Sequence, residues 1–210
     1  MALIGVAAIV TFIIGRVNVF LDDTDEKKDY ERLYATLVSL DPVAFTSIEN
    51  ADQNTLRLVS VMTALQMQNT DLYETDRMWR LLLPAIDVER YAGRLFGPNF
   101  RLAHETFGGS GRTNDDGIDY SAYIYVPEKQ AYSVPPTSLA GSFIPQVIKI
   151  ERSGNTKVLT VAYMLGSSSV SDVLTDPDAL RISKYMEYVL IKEGSDFYLY
   201  SIRESSYQPS

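Results

Sequence analysis

The sequence has no cysteine, one histidine and one tryptophan. Without cysteine there is no disulfide framework, no thiolate-ligated zinc, no thiol nucleophile and no lipid anchor on an N-terminal Cys. His104 stands alone, so it has no second imidazole with which to build a catalytic zinc site. A Ser-His-Asp triad would need it beside a nucleophile, and no local motif marks such a serine. The expectation for His104 is a surface position or a satisfied place in the core. Basic residues are sparse and unclustered, 19 Lys and Arg against 27 Asp and Glu, for a net charge of −8. Nucleic-acid binding needs clustered cations that release counterions from phosphates, so no nucleic-acid partner is expected.

The glycine-rich stretch Gly108 to Asp119 fails three patterns. Gly108-Gly109-Ser110-Gly111 is followed by Arg112-Thr113 rather than Gly-Lys-Ser/Thr, so it is no phosphate loop. Arg112 stands where a nucleophile elbow needs Gly. Aligning Gly117 with the sixth position of a calcium loop puts Arg112 at the first ligand and Tyr123 at the twelfth, and both fail. The stretch reads as a solvated loop, as does the acidic run Asp172, Asp176 and Asp178 with its Asp176-Pro177 turn. No catalytic residue, metal ligand or cofactor is assigned. Paired carboxylates of the glycosidase kind are defined by spatial separation, which a sequence does not give.

What is present is apolar. Residues 1–21 carry one charge, Arg16. As a helix they span about 31 Å, close to the ~30 Å hydrocarbon core, and Arg16 lies near the far end where it can snorkel. A cleaved signal peptide would want a basic start and a small-residue cleavage site, and neither is there. A core helix would want a polar face, and residues 2–15 show none. The segment is therefore read as a single membrane anchor, with residues 22–210 as an extracytoplasmic α+β domain. No basic flank precedes the run to set the side of the membrane, and the bulk of the chain is placed outside.

Helical patterning fills 25–97. Tyr30, Leu33, Tyr34, Leu37 and Val38 make one apolar stripe. Asp41-Pro42 stops that helix and is placed to start another. A second helix is predicted over about 54–67, with Leu58, Val61, Met62 and Leu65 on one face. Leu72 to Leu83 is open between a short strand and a helix end. Asp87 is expected to cap a helix carrying Val88, Tyr91, Ala92, Leu95 and Phe96, closed by Gly97-Pro98. An antiparallel meander is expected over 118–204. Tyr120 to Val126 and Ala131 to Val134 flank a turn, and Pro135-Pro136 breaks the ladder. Two hairpins follow, closed at Ser153-Gly154-Asn155 and at Glu193 to Asp196.

The 14 tyrosines supply the candidate binding surface. On the 120–126 strand, Ala122, Ile124 and Val126 alternate with Tyr123 and Tyr125. The aliphatic set is expected on the core face, leaving Tyr123 and Tyr125 for a peptide or glycan. Tyr198 and Tyr200 share a strand face and are assigned the same role.

The order of the Val88–Phe96 helix, then YIYVPEKQAYSVPPTS, IPQVIKIERSGNTKVLTVAYM and KYMEYVLIKEGSDFYLYSIRES, resembles membrane-anchored extracytoplasmic proteins of unknown function from clostridia and related Firmicutes. The resemblance covers about residues 84–205. It implies a Gram-positive cell surface and a helix-on-curved-sheet shape similar to NTF2-like or cystatin-like folds. It carries over no catalytic residue. The expected function is a non-enzymatic surface binding or assembly domain tethered by one membrane helix, with a peptide, glycan or envelope protein as partner. The rivals are a cell-wall hydrolase using dispersed carboxylates and a scaffold subunit of an envelope or secretion complex.

Overall fold

A computed structural model describes residues 23–136, 143–165 and 181–209. Residues 1–21, read as the anchor, and Asp172, Asp176 and Asp178 lie outside them. Among the described residues no helix is long and apolar enough to cross a membrane. The class is α+β, with three α-helices and two antiparallel four-stranded sheets among the described residues.

Helix α1 covers 23–40 and buries Tyr34, Leu37 and Val38 of the predicted stripe. It stops at Asp41, which takes φ 47°, a left-handed conformation that ends a helix. Pro42 starts no helix; the chain instead bridges Phe45 to Ile202 and makes a 3-10 turn at Ile48–Asn50. Helix α2, Gln53–Met67, is capped by the Asp52 carboxylate, which accepts from the Thr55 N–H at 2.8 Å. It is buried on two sides rather than one. Leu56 and Val59 face the first core, while Val61 and Ala64 face a second.

Strand β1, Leu81–Pro84, runs straight into helix α3, Ala85–Phe96. The cap is at Pro84, not Asp87. Proline's fixed φ suits that entry, and Asp87 sits a turn inside, accepting from the Tyr73 hydroxyl at 2.7 Å and pairing with Arg90 at 2.8 Å. The stripe Val88, Tyr91, Ala92, Leu95 and Phe96 is buried, as its spacing predicts.

The strands form two sheets instead of one meander. The first has the order β1-β4-β3-β2, with β2 Phe107–Gly108, β3 Ala122–Val126 and β4 Ala131–Val134. It recruits β1 from before α3, Leu81 opposite Val134, a non-local pairing that local patterning does not reveal. It ends at the Pro135-Pro136 break. The second sheet is a true meander: β5 Phe143–Ser153, β6 Thr156–Leu165, β7 Arg181–Glu193 and β8 Asp196–Glu204. Both expected hairpins are present, with Ser153 opposite Thr156 and Glu193 opposite Asp196. Gly154 and Gly194 take φ 57° and 66° at the first turn position, where a side chain would be strained. Each strand pair of this sheet carries one register shift, and such bulges bend a sheet. α1 packs on this sheet in the first core, while α2 and α3 lie between the sheets, with Leu56, Val59, Ala92, Leu95 and Phe96 in the first core and Val61, Ala64, Val88 and Tyr91 in the second.

Candidate functional site

Tyr123 is the first correction. It is 5% exposed, its ring stacked on Phe107 at 5.0 Å, and it belongs to the second core. The tyrosine face of β3 looks onto the helices, because the rings offer more area to cover than Ala122 or Val126. Ala122 is buried as well, against the loop at Gly109, so both faces of β3 are covered at its start. Tyr125 is half-buried and stacks on His104 at 5.1 Å. Tyr198 and Tyr200 are on β8 of the other sheet, so they do not extend the β3 face. They line one shallow hollow of about 470 Å³ beside the 3-10 turn Ile48–Asn50, and Tyr200 is 40% exposed.

His104 joins three elements. Its Nδ1 lies 2.9 Å from the Tyr132 hydroxyl and its Nε2 2.8 Å from Glu89. That line has the outline of a proton relay. Tyr132 is fully buried, however, so no substrate atom reaches its hydroxyl, and the cluster ties α3 to the first sheet. In the glycine-rich loop, Asp119 accepts from the N–H groups of Gly111 and Ser121 at 2.7 and 2.9 Å. The Ser121 hydroxyl and these N–H groups hold its carboxyl below the usual range. Among the described residues no three His, Asp or Glu converge on a metal position.

An open groove of about 890 Å³ lies between α1, α3 and the β7–β8 turn. One wall is Tyr30 and Leu33 of α1, the other Arg90, Gly93 and Arg94 of α3, and Phe197 and Tyr198 close the end. Gly97 makes the end possible. It takes φ 108°, and a Cβ there would stand 2.9 Å from a Glu193 carboxylate oxygen and 3.6 Å from the Tyr198 ring. Only glycine lets the end of α3 approach β8 so closely.

Lys157 sits at the groove floor, 2.6 Å from Glu26 and 3.2 Å from the Tyr30 hydroxyl, with its ammonium 4.1 Å from the Phe197 ring centre. Burial works to discharge it, but the bonds to Glu26 and Tyr30 outweigh burial and raise its pKa. Arg94 is exposed and lies over the Tyr91 ring at 5.5 Å. Among the described residues it makes no ion pair. Glu89 and Asp29 supply the opposite sign on the same walls.

No protein-family model, no curated protein and no solved structure matches this chain.

The site therefore stands on its own geometry. Of the four tyrosines chosen from sequence, Tyr198 is the one that reaches the groove. Arg90 and Arg94 are not singled out from the sequence, although their i, i+4 spacing opposite the apolar stripe of α3 puts them on one exposed face. Nothing local signalled Lys157, which arrives from β6.

Proposed function

We propose that the chain is a membrane-tethered, non-catalytic binding domain that holds a peptide segment of an envelope protein in the α1–α3–β8 groove. The observation that carries this is the convergence there of aromatic rings with charges of both signs. An extended peptide offers apolar side chains to Tyr30, Phe197 and Tyr198, and charged ones to Arg94 and Asp29. The tether is supported by the uncharged run 2–15 and by the texture of residues 84–205.

A hydrolase built on dispersed carboxylates is less well supported. A general acid needs a raised pKa. The carboxyls displaced by their surroundings, Glu49, Asp52, Asp76 and Asp119, are all shifted down, and none lines the groove.

One observation favours the scaffold reading as a second choice. Trp79 is 87% exposed at φ 59°, on a turn held by the buried side chain of Arg80. An exposed Trp on a fixed turn is a typical interface anchor.

The test is selection of random-sequence displayed peptides against the full chain in detergent. Replacing Arg94 and Tyr198 together by Ala should weaken the selected peptides about tenfold or more, the size of a hot-spot loss, in a variant that still melts cooperatively. Equal binding by the variant would overturn the groove assignment.

A further inference from the structure

We propose that the end of the second sheet bearing its two hairpin turns is a surface that faces lipid headgroups. This rests on the tether reading above. One residue, Asp22, separates the apolar run 1–21 from Asp23, where the described part of α1 starts. A residue spans at most about 3.6 Å of extended chain, so Asp23 is close to where the chain leaves the bilayer.

That start is fastened to the second sheet. The Asp23 carboxylate accepts from Arg152 at 2.7 Å, Arg152 also bonds Glu26, and Lys157 bonds Glu26 at 2.6 Å. Arg152 and Lys157 face each other across the base of the Gly154-Asn155 turn. The second turn, Gly194-Ser195, lies alongside: the Lys192 N–H donates to the Asn155 carbonyl at 2.8 Å. The two turns and the tether exit are thus at one end of the domain. Ser153, Asn155, Ser195 and Asp196 are exposed and polar there, suited to hydrated headgroups rather than to acyl chains.

The opposite end of this sheet is marked by Arg181. It is exposed at the start of β7 and pairs with Leu165 at the end of β6, and β6 runs about 30 Å from Thr156 beside the first turn. Arg181 is therefore far from the turns. The groove, with Tyr30 about 10 Å along α1 from Asp23, opens beside the bilayer. Its peptide comes from a segment close to the membrane.

The chain has no cysteine, so one introduced thiol labels a single site. The full chain carrying Asn155→Cys, Ser195→Cys or Arg181→Cys is labelled with a fluorophore. Each is reconstituted into phosphatidylcholine vesicles with a minor share of phosphatidylglycerol and quenched by a headgroup nitroxide lipid. Quenching severalfold stronger at 155 and 195 than at 181 is expected. Equal quenching, or stronger quenching at 181, in a chain that floats with the vesicles overturns the orientation and leaves the tether standing. A chain that does not float overturns the tether reading and this proposal with it. The turn positions check each other, since both must report the same depth.

Discussion

Tyr163 and Tyr188 bond hydroxyl to hydroxyl at 2.6 Å in the interior of the second sheet, both fully buried. Burial pushes both phenols up, so the pair stays neutral. Removing one partner strands the other. Tyr188→Phe should cost about 1–3 kcal/mol by urea denaturation, the penalty of a buried hydroxyl left unpaired. Tyr163→Phe with Tyr188→Phe should cost less than the sum of the two single changes. Strict additivity would mean that the bond contributes nothing.

Tyr123 gives a test of which way the first sheet faces. Tyr123→Ser removes a buried ring stacked on Phe107 and should cost about 3–5 kcal/mol, the range for loss of a core aromatic. Tyr200→Ser, at an exposed position, should stay within about 0.5 kcal/mol. The reverse order would put the β3 tyrosines on the binding face after all.

Arg80 is 2% exposed and donates to the carbonyls of Val134, Ala122 and Ser133. Asp76 beside it accepts from the Ser133 hydroxyl at 2.6 Å. Arg80→Met leaves three carbonyls without a donor and Asp76 without its countercharge. A loss of about 1–3 kcal/mol is expected, the cost of buried acceptors left unpaired. Arg80→Lys should recover only part, since one ammonium does not reach three divergent acceptors as a guanidinium fork does. A neutral Arg80→Met would mean that the turn bearing Trp79 is held by something else.

Stability at alkaline pH follows from Tyr73 and Tyr132, both pushed up to about 12. Burial is the main cause in each, and the hydrogen bond to Asp87 adds to it in Tyr73. An unfolded tyrosine ionises near pH 10. A folded pKa above the unfolded one gives stability that is complete below about pH 10 and is lost as pH rises through about 12. The urea midpoint should therefore fall over that window, and Tyr73→Phe should flatten part of the fall. A midpoint constant to pH 12 would contradict the burial of these phenols.

The parts of the fold legible in sequence are those set by local chemistry. The glycines of the two hairpin turns mark β5 to β8, and the spacing of Val88, Tyr91, Ala92, Leu95 and Phe96 marks α3. What sequence hid is set by distant partners. β1 pairs with β4 across α3, so Leu81-Leu82-Leu83 could not be told from a helix end. α2 serves two cores, so its Leu58 to Leu65 stripe described only half of what it buries. Alternation on β3 separates Tyr123 from Ala122 but does not say which side the helices cover. The groove is the same kind of case: Tyr198 was named for its alternation, whereas Lys157 and Arg94 meet it only through the tertiary fold.

The central claim is a domain that folds without its apolar leader and is held at a membrane by it. Vesicle flotation of the full chain and of its 23–210 fragment, each with circular dichroism and a melting curve, tests this most directly. The account predicts that the full chain floats, that the fragment stays in the aqueous fraction, and that the fragment shows cooperative α+β melting. A fragment that is unfolded would place residues 1–21 in the core, and a full chain that stays at the bottom of the gradient would remove the tether; either result contradicts the account.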